Sequence, residues 1–191
     1  MPRSSDARQR MVGTAARLFR RQGYCATGWR QVVAESGAPW GSQAHYFPQG
    51  KEQLAAEAVE LAGARYEALL REGLNDSHPA DFIEAWAALA ASELEASGWA
   101  DGCPVATVTL EMAHTSERIA ATCSAALLSW RQSIADALMA HGLAAADAAS
   151  VAALVVSGIE GALLLARAGR DAGPLRTVGH ELGRLVRTRL A

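Results

Sequence analysis

Lysine is nearly missing from this 191-residue chain: Lys51 is the single one, and every other basic residue is arginine. That bias reads as GC-rich coding, not as mechanism. Cysteine is scarce as well. Cys25, Cys103 and Cys123 are odd in number and stand at no metal-binding spacing, which argues against a disulfide framework and for a reducing cytosol. Aromatics make up only 6% of the residues, and the 50% apolar content is mostly Ala and Leu with few β-branched runs. Such a composition favours helix over strand. No His-Glu-x-x-His or Cys-x-x-Cys pattern occurs, and His78, His114, His141 and His180 are scattered over separate segments. No catalytic residue, metal or cofactor is therefore expected. The chain opens on polar and charged residues with no apolar leader. The stretch nearest to a membrane span, Ala144 to Ala168, is interrupted by Asp147, Glu160 and Arg167. Neither secretion nor a membrane is expected, and the location is expected to be cytoplasmic.

What is present is unevenly distributed. The net charge is −2, but residues 1–51 carry eight basic side chains (Arg3, Arg8, Arg10, Arg17, Arg20, Arg21, Arg30 and Lys51) against Asp6 and Glu35. The remainder carries ten arginines against eighteen acids. A basic head on an acidic body is the footprint of a nucleic-acid contact confined to one end. A solvated basic first helix would give the same count.

Periodicity and breakers predict about nine helices and no strand, an all-α chain. The first runs from Ser5 or Asp6 to Gln22 and stops at Gly23. Thr27 is expected to cap a short helix, Trp29 to Ser36. Gly37 turns the chain, and Pro39 is expected at the first position of another short helix ending at Tyr46. Longer helices are predicted at 51–73, 80–96, 103–112, 116–140, 145–168 and 175–189. Two short helices about a tight turn make a helix-turn-helix, in which the first fixes the angle at which the second enters a major groove. Val32, Val33 and Ala34 are expected to meet Ala44 and Phe47 across that turn.

The segment Phe19 to Leu54 resembles the DNA-binding domain of the TetR family of bacterial regulators. The likeness rests on Phe-Arg-Arg-Gln-Gly-Tyr-x-Ala-Thr (Phe19 to Thr27), Gly-Ala-Pro (Gly37 to Pro39), Gly41-Ser42 and His-Tyr-Phe-Pro-x-Gly-Lys-Glu-x-Leu (His45 to Leu54). Gly-Cys-Pro-Val-Ala (Gly102 to Ala106) is similar to a drug- and flavonoid-responsive subgroup. The resemblance implies a helix-turn-helix DNA-binding domain at 1–50 and an effector-binding and dimerisation domain at 51–191. It implies that Thr27 and Arg30 hold phosphates, and that Pro39, Trp40, Gly41, Ser42 and Gln43 enter the major groove. His45 and Tyr46 would lie against phosphate or the groove wall, and Lys51 would grip a phosphate at a helix N-terminus. Family members often carry a basic residue in place of Trp40 and an aromatic in place of Ala44. Gln43, reading adenine through N6 and N7, is expected to compensate.

In the body, Trp86, Trp99, Met112, Trp130 and Met139 either pack a core or line a ligand cavity, with Cys103 nearby and Thr109, Glu111 or His114 as polar anchors. The helix from Ala145 is apolar on two faces, which implies cover on two sides. Ser157, Gly158, Gly161, Leu164 and Leu165, with Val178, Leu182 and Leu185 of the last helix, are expected to form a homodimer interface. The reading that results is a ligand-responsive repressor bound to a palindromic operator and released by a small molecule. A helical small-molecule enzyme or carrier and a thiol-based sensor are the alternatives.

Overall fold

The computed structural model describes residues 4–191, with side chains from Asp6 onward. Arg3 therefore lies outside the described residues, and the side chain of Ser5 is not described. Among the described residues the chain forms nine helices and no strand. They are α1 Ser4–Gln22, α2 Trp29–Ser36, α3 Ser42–Tyr46, α4 Lys51–Asp76, α5 Pro79–Ala96, α6 Pro104–Met112, α7 Glu117–Ala140, α8 Ala145–Gly169 and α9 Gly173–Leu190.

These helices sort into two compact units. The first takes the residues up to 64 and adds 103–126; the second takes 65–102 and 127–191. In the first unit α1 buries Met11, Ala15, Leu18 and Phe19, while Val32, Val33, Phe47, Leu54 and Val59 are buried on α2 to α4. The helix-turn-helix contact differs from expectation. Ala34 and Ala44 are exposed, and the buried Phe47 instead meets Trp29, ring centroids 5.8 Å apart.

Two helix starts also differ. Gly28, not Thr27, is the residue before α2. Pro39 precedes α3 instead of opening it, because Gly41 sits at φ 93 and helical geometry begins only at Ser42. The left-handed Gly41 costs an L side chain strain that glycine avoids.

In the second unit α9 packs along α5 with no room between the backbones. A Cβ on Gly179 would lie 2.4 Å from the Ala87 Cβ. Gly73 was expected to end α4, yet the helix continues to Asp76. A Cβ there would lie 2.0 Å from the Phe82 ring, so glycine serves close approach and not termination. Trp99 at φ 66 packs on a cluster of Ala91, Leu94, Ala162, Ala166, Ala172 and Leu175. The helix α8 is long and apolar enough to cross a membrane by length and composition, a test that the core helix of a soluble protein also passes. Eight of its residues, Val151, Val155 and Ile159 among them, are buried.

Candidate nucleic-acid interface

The helix pair α2–α3 is too short to hold itself. Isolated helices below about 12 residues are marginal in water, and α2 and α3 have eight and five residues. Side chains from neighbouring helices fix their ends. Arg10 Nε donates to the Ser36 carbonyl at 2.9 Å, at the end of α2. Ser36 Oγ donates to the Val33 carbonyl at 3.1 Å and accepts the Ala38 N–H at 3.3 Å. Gly37, at φ 64, donates its N–H to the Ala34 carbonyl. Gln22 of α1 donates to Gln31 of α2 at 2.8 Å.

The link from α1 to α2 is held from two more sides. Lys51 Nζ donates to the Tyr24 carbonyl at 2.7 Å and lies 3.9 Å from the centre of the Tyr24 ring. Burial lowers the Lys51 ammonium from its ordinary value, partly opposed by Cys25 and Glu111. Burial also raises the Tyr24 phenol, with Glu52 and Cys25 adding to the rise. Glu111 of α6 accepts the Cys25 N–H at 2.8 Å. A Cβ on Gly23 would meet Glu111 Oε1 at 2.1 Å, and Gly23 is at φ 83. Glu111, expected as a ligand anchor, gives its carboxylate to the α1–α2 turn.

On this scaffold the expected contact residues separate into three groups. Trp40 is 65% exposed, and Pro39, Gly41, Arg30 and His45 are exposed beside it in sequence or on α2 and α3. Arg30 has no ion pair among the described residues. Ser42, Gln43 and Tyr46 are half-buried. Ser42 Oγ donates to the Pro39 carbonyl at 2.7 Å, and Gln43 Oε1 accepts the Gly41 N–H at 2.9 Å. The Tyr46 ring meets His45 edge-on at 5.1 Å. Thr27 is the correction: it is fully buried, and its hydroxyl donates to the Gly23 carbonyl at 2.7 Å. It locks the turn and presents nothing outward.

The basic head is less free than its count suggests. Arg8 pairs with Glu57 at 2.7 Å, Arg10 with Asp6 at 2.8 Å and Arg17 with Glu35 at 2.5 Å. The Glu57 partner lay beyond the segment over which charge was summed, so the pairing was hidden from it.

The expected ligand residues fall in both units. Trp86, Trp99 and Trp130 belong to the second unit; Cys103, Thr109, Met112 and His114 belong to the first. Trp130 is fully buried against Tyr66, with centroids 5.4 Å apart. Cys103 Sγ accepts the Ala106 N–H as the cap of α6. Thr109 Oγ1 donates to the Val105 carbonyl at 2.7 Å, and His114 is exposed. Trp86 lines a groove of about 240 Å³ in the second unit, with Leu69, Glu72, Gly73, Phe82, Ala85 and Leu89. Its ring stacks with Phe82 at 6.4 Å and 14°. Gly73 was missed as a groove residue, although an unexplained glycine inside a helical pattern is a signal of close packing.

The expected dimer residues divide as well. Gly158 faces Leu182 and Val178 inside the unit, since a Cβ on it would lie 3.1 Å from Leu182 Cδ1. Those three residues hold α8 to α9, with Gly158 and Val178 half-buried and Leu182 buried. Ser157 and Gly161 are exposed, Leu185 is half-buried, and Leu164 and Leu165 are 62% and 61% exposed.

Residues 79–181 match the C-terminal domain of LmrA/YxaF-like transcriptional regulators. The HTH-type transcriptional regulator YxaF of Bacillus subtilis is 37% identical over 98% of each chain. The chain belongs to the TetR family of transcriptional regulators. A second relative in that family, LmrA of Bacillus subtilis, is 32% identical over 89% of this chain and 91% of its own. A TetR regulator from Chloroflexus aurantiacus has a TM-score of 0.80 at 26% identity, over 97% of this chain and 96% of that one. A TetR protein from Rhodobacter sphaeroides superposes with a TM-score of 0.81 at 22% identity, over 93% and 97%. Membership in this TetR family makes the molecule an HTH-type DNA-binding regulator, of a family whose members are in general not enzymes.

Proposed function

We propose that this TetR-family protein is a cytoplasmic, homodimeric repressor that leaves a palindromic operator when a small molecule binds its body. The observation that carries the DNA half is the exposed Pro39–Trp40–Gly41 turn, approached through Ser36 and Ala38, whose backbone atoms are held by Arg10 and the Ser36 hydroxyl. A rigid exposed turn ahead of a short helix suits entry into a major groove. Residues 1–50 serve as the DNA-binding domain. Pro39, Trp40, Gly41, Ser42 and Gln43 enter the groove, Arg30 and His45 meet phosphate, and Tyr46 lies against the groove wall. Lys51 acts first as the strut beneath Tyr24 and leaves its remaining N–H groups for phosphate.

Residues 51–191 carry effector binding and dimerisation. The apolar stripe Leu154, Leu164 and Leu165, with Ser157 and Gly161 between, is exposed on α8. Paired across a two-fold axis, it makes an isologous interface. Two recognition helices would then read half-sites about 34 Å apart. The effector is an aromatic or amphiphilic molecule that uses the Phe82–Trp86 groove. It needs to favour the released conformation by only ~1–3 kcal/mol of coupling.

The test is anisotropy with labelled duplexes from the gene's own upstream region at several salt concentrations. A specific duplex should bind on the order of 10³-fold or more tightly than random sequence, with affinity falling linearly in log salt. Leu164→Asp with Leu165→Asp should sediment as a monomer and lose specific binding. A wild-type protein that sediments as a monomer, or prefers no duplex over heparin at any salt, overturns the reading.

A further inference from the structure

The operator reading leaves open what the recognition helix reads, and one hydrogen bond constrains it. Gln43 is the second residue of α3, and its Oε1 accepts the Gly41 N–H at 2.9 Å. Gly41 precedes α3 at φ 93, so its N–H lies outside the helical ladder. The Gln43 side chain reaches back to satisfy that donor, much as the acidic or amide member of a capping box does.

This bond decides what the other end of the amide presents. A carboxamide has one acceptor oxygen and two N–H donors. With the oxygen held by Gly41, the two hydrogens on Nε2 are left without a partner among the described residues. Reading adenine through N6 and N7 needs the same oxygen, to accept from the N6 amine. The Gly41 bond takes one of that oxygen's two lone pairs and holds the amide by its oxygen end, which disfavours the N6 contact while the bond stands. Guanine presents two acceptors, O6 and N7, on its major-groove edge. We infer that Gln43 meets the base through its Nε2 donors and selects guanine over adenine at the base pair it meets. Ser42 cannot take over the role, since its hydroxyl proton is directed to the Pro39 carbonyl at 2.7 Å. This inference rests on the operator reading proposed above.

The experiment is selection from random duplexes at fixed salt, run in parallel with the wild-type full chain, Gln43→Ala and Gln43→Glu. The wild type should select guanine over adenine at one position of each half-site by on the order of tenfold. Gln43→Ala should level that position while the rest of the motif persists. Gln43→Glu keeps an oxygen for Gly41 and turns an acceptor outward, so the position should move to cytosine, whose N4 amine donates. Placing 7-deazaguanine at the selected position should weaken the wild type and leave Gln43→Ala unchanged. Adenine at that position, lost in Gln43→Ala, would mean that the amide turns round on binding and would overturn the inference. Identical motifs from all three proteins would also overturn it. If the wild type itself selects nothing, the operator reading falls first and this inference with it.

Discussion

The two units of this protein are stabilised in different ways. In the first, short helices are tied by side chains that end on backbone atoms: Arg10 on Ser36, Lys51 on Tyr24, Glu111 on Cys25 and Thr27 on Gly23. Its close glycine contact between helices is Gly63 against Ala126. In the second unit, long helices approach through glycine and alanine, at Gly179 against Ala87, Gly73 against Phe82 and Gly158 against Leu182. Its ion pairs, such as Arg187 with Asp81 and Glu84 or Arg176 with Glu95, lie on the surface and contribute little. Helices of eight and five residues, such as α2 and α3, have too little surface to fix an angle by packing alone. Bonds to backbone atoms supply direction, which apolar contact lacks.

The contrast breaks most visibly in the second unit. Gly179→Leu places a branched side chain where the Ala87 Cβ leaves 2.4 Å. Overpacking of this kind should cost about 3 kcal/mol, read as a lower urea midpoint at unchanged slope. Adding Ala87→Gly should restore part of it. A loss well under 1 kcal/mol would mean that α9 re-seats freely and that the glycine contacts are incidental.

In the first unit the corresponding glycine substitution works through polar groups. Gly23→Ala meets a left-handed backbone at φ 83 and the Glu111 carboxylate at 2.1 Å. The carboxylate is the end of a flexible side chain and can swing away, but it then abandons the Cys25 N–H. The two penalties together should amount to about 2 kcal/mol. Glu111→Ala removes the bond alone and should cost about 1 kcal/mol, because the site is partly open to water. It should also speed amide exchange at Cys25. Equal losses for the two variants would show that the left-handed backbone at Gly23 adds no strain.

The sequence exposed the first unit more fully than the second. The bounds of α2, Trp29–Ser36, follow from its flanking glycines and apolar spacing, and the recognition segment carries a recognisable set of residues. Pro39 and Thr27 misled for a local reason. Each has a preferred helix-start role, and each was displaced by a neighbouring glycine, Gly41 at φ 93 or Gly28 as the residue before α2. The ties of Arg10 to Ser36 and Glu111 to Cys25 span 26 and 86 positions, beyond any periodicity. In the second unit Gly73 read as a stop because the ring that requires it, Phe82, sits on the next helix. The two faces of α8 were both visible as apolar, but only packing decides that Gly158 turns inward to Leu182 and Leu164 turns out. The tryptophans could not be sorted between core and groove, since burial is a property of the partners and not of the residue.

The smallest expected effect concerns pH and separates the two uses of Lys51. Its ammonium is held below the ordinary lysine value by burial. In the unfolded chain it titrates near 10.5, so between the lowered value and 10.5 the unfolded state binds more protons than the folded one. Stability due to this group therefore rises with pH across that window. Tyr24 opposes it from the other side. Its phenol is raised above 10.0 in the fold, so its contribution falls as pH climbs past 10.0. Comparing wild type with Lys51→Met cancels most of the Tyr24 effect. The stability difference, wild type minus variant, should grow as pH approaches 10.5. A difference flat across that range would mean that Lys51 is solvated and free for phosphate. In that case Lys51→Met should lower the salt slope of DNA binding by about one unit. If the lysine is the strut beneath Tyr24, the slope should fall by less than that, and the amide of Thr27, which donates to the Tyr24 carbonyl at 3.1 Å, should exchange faster.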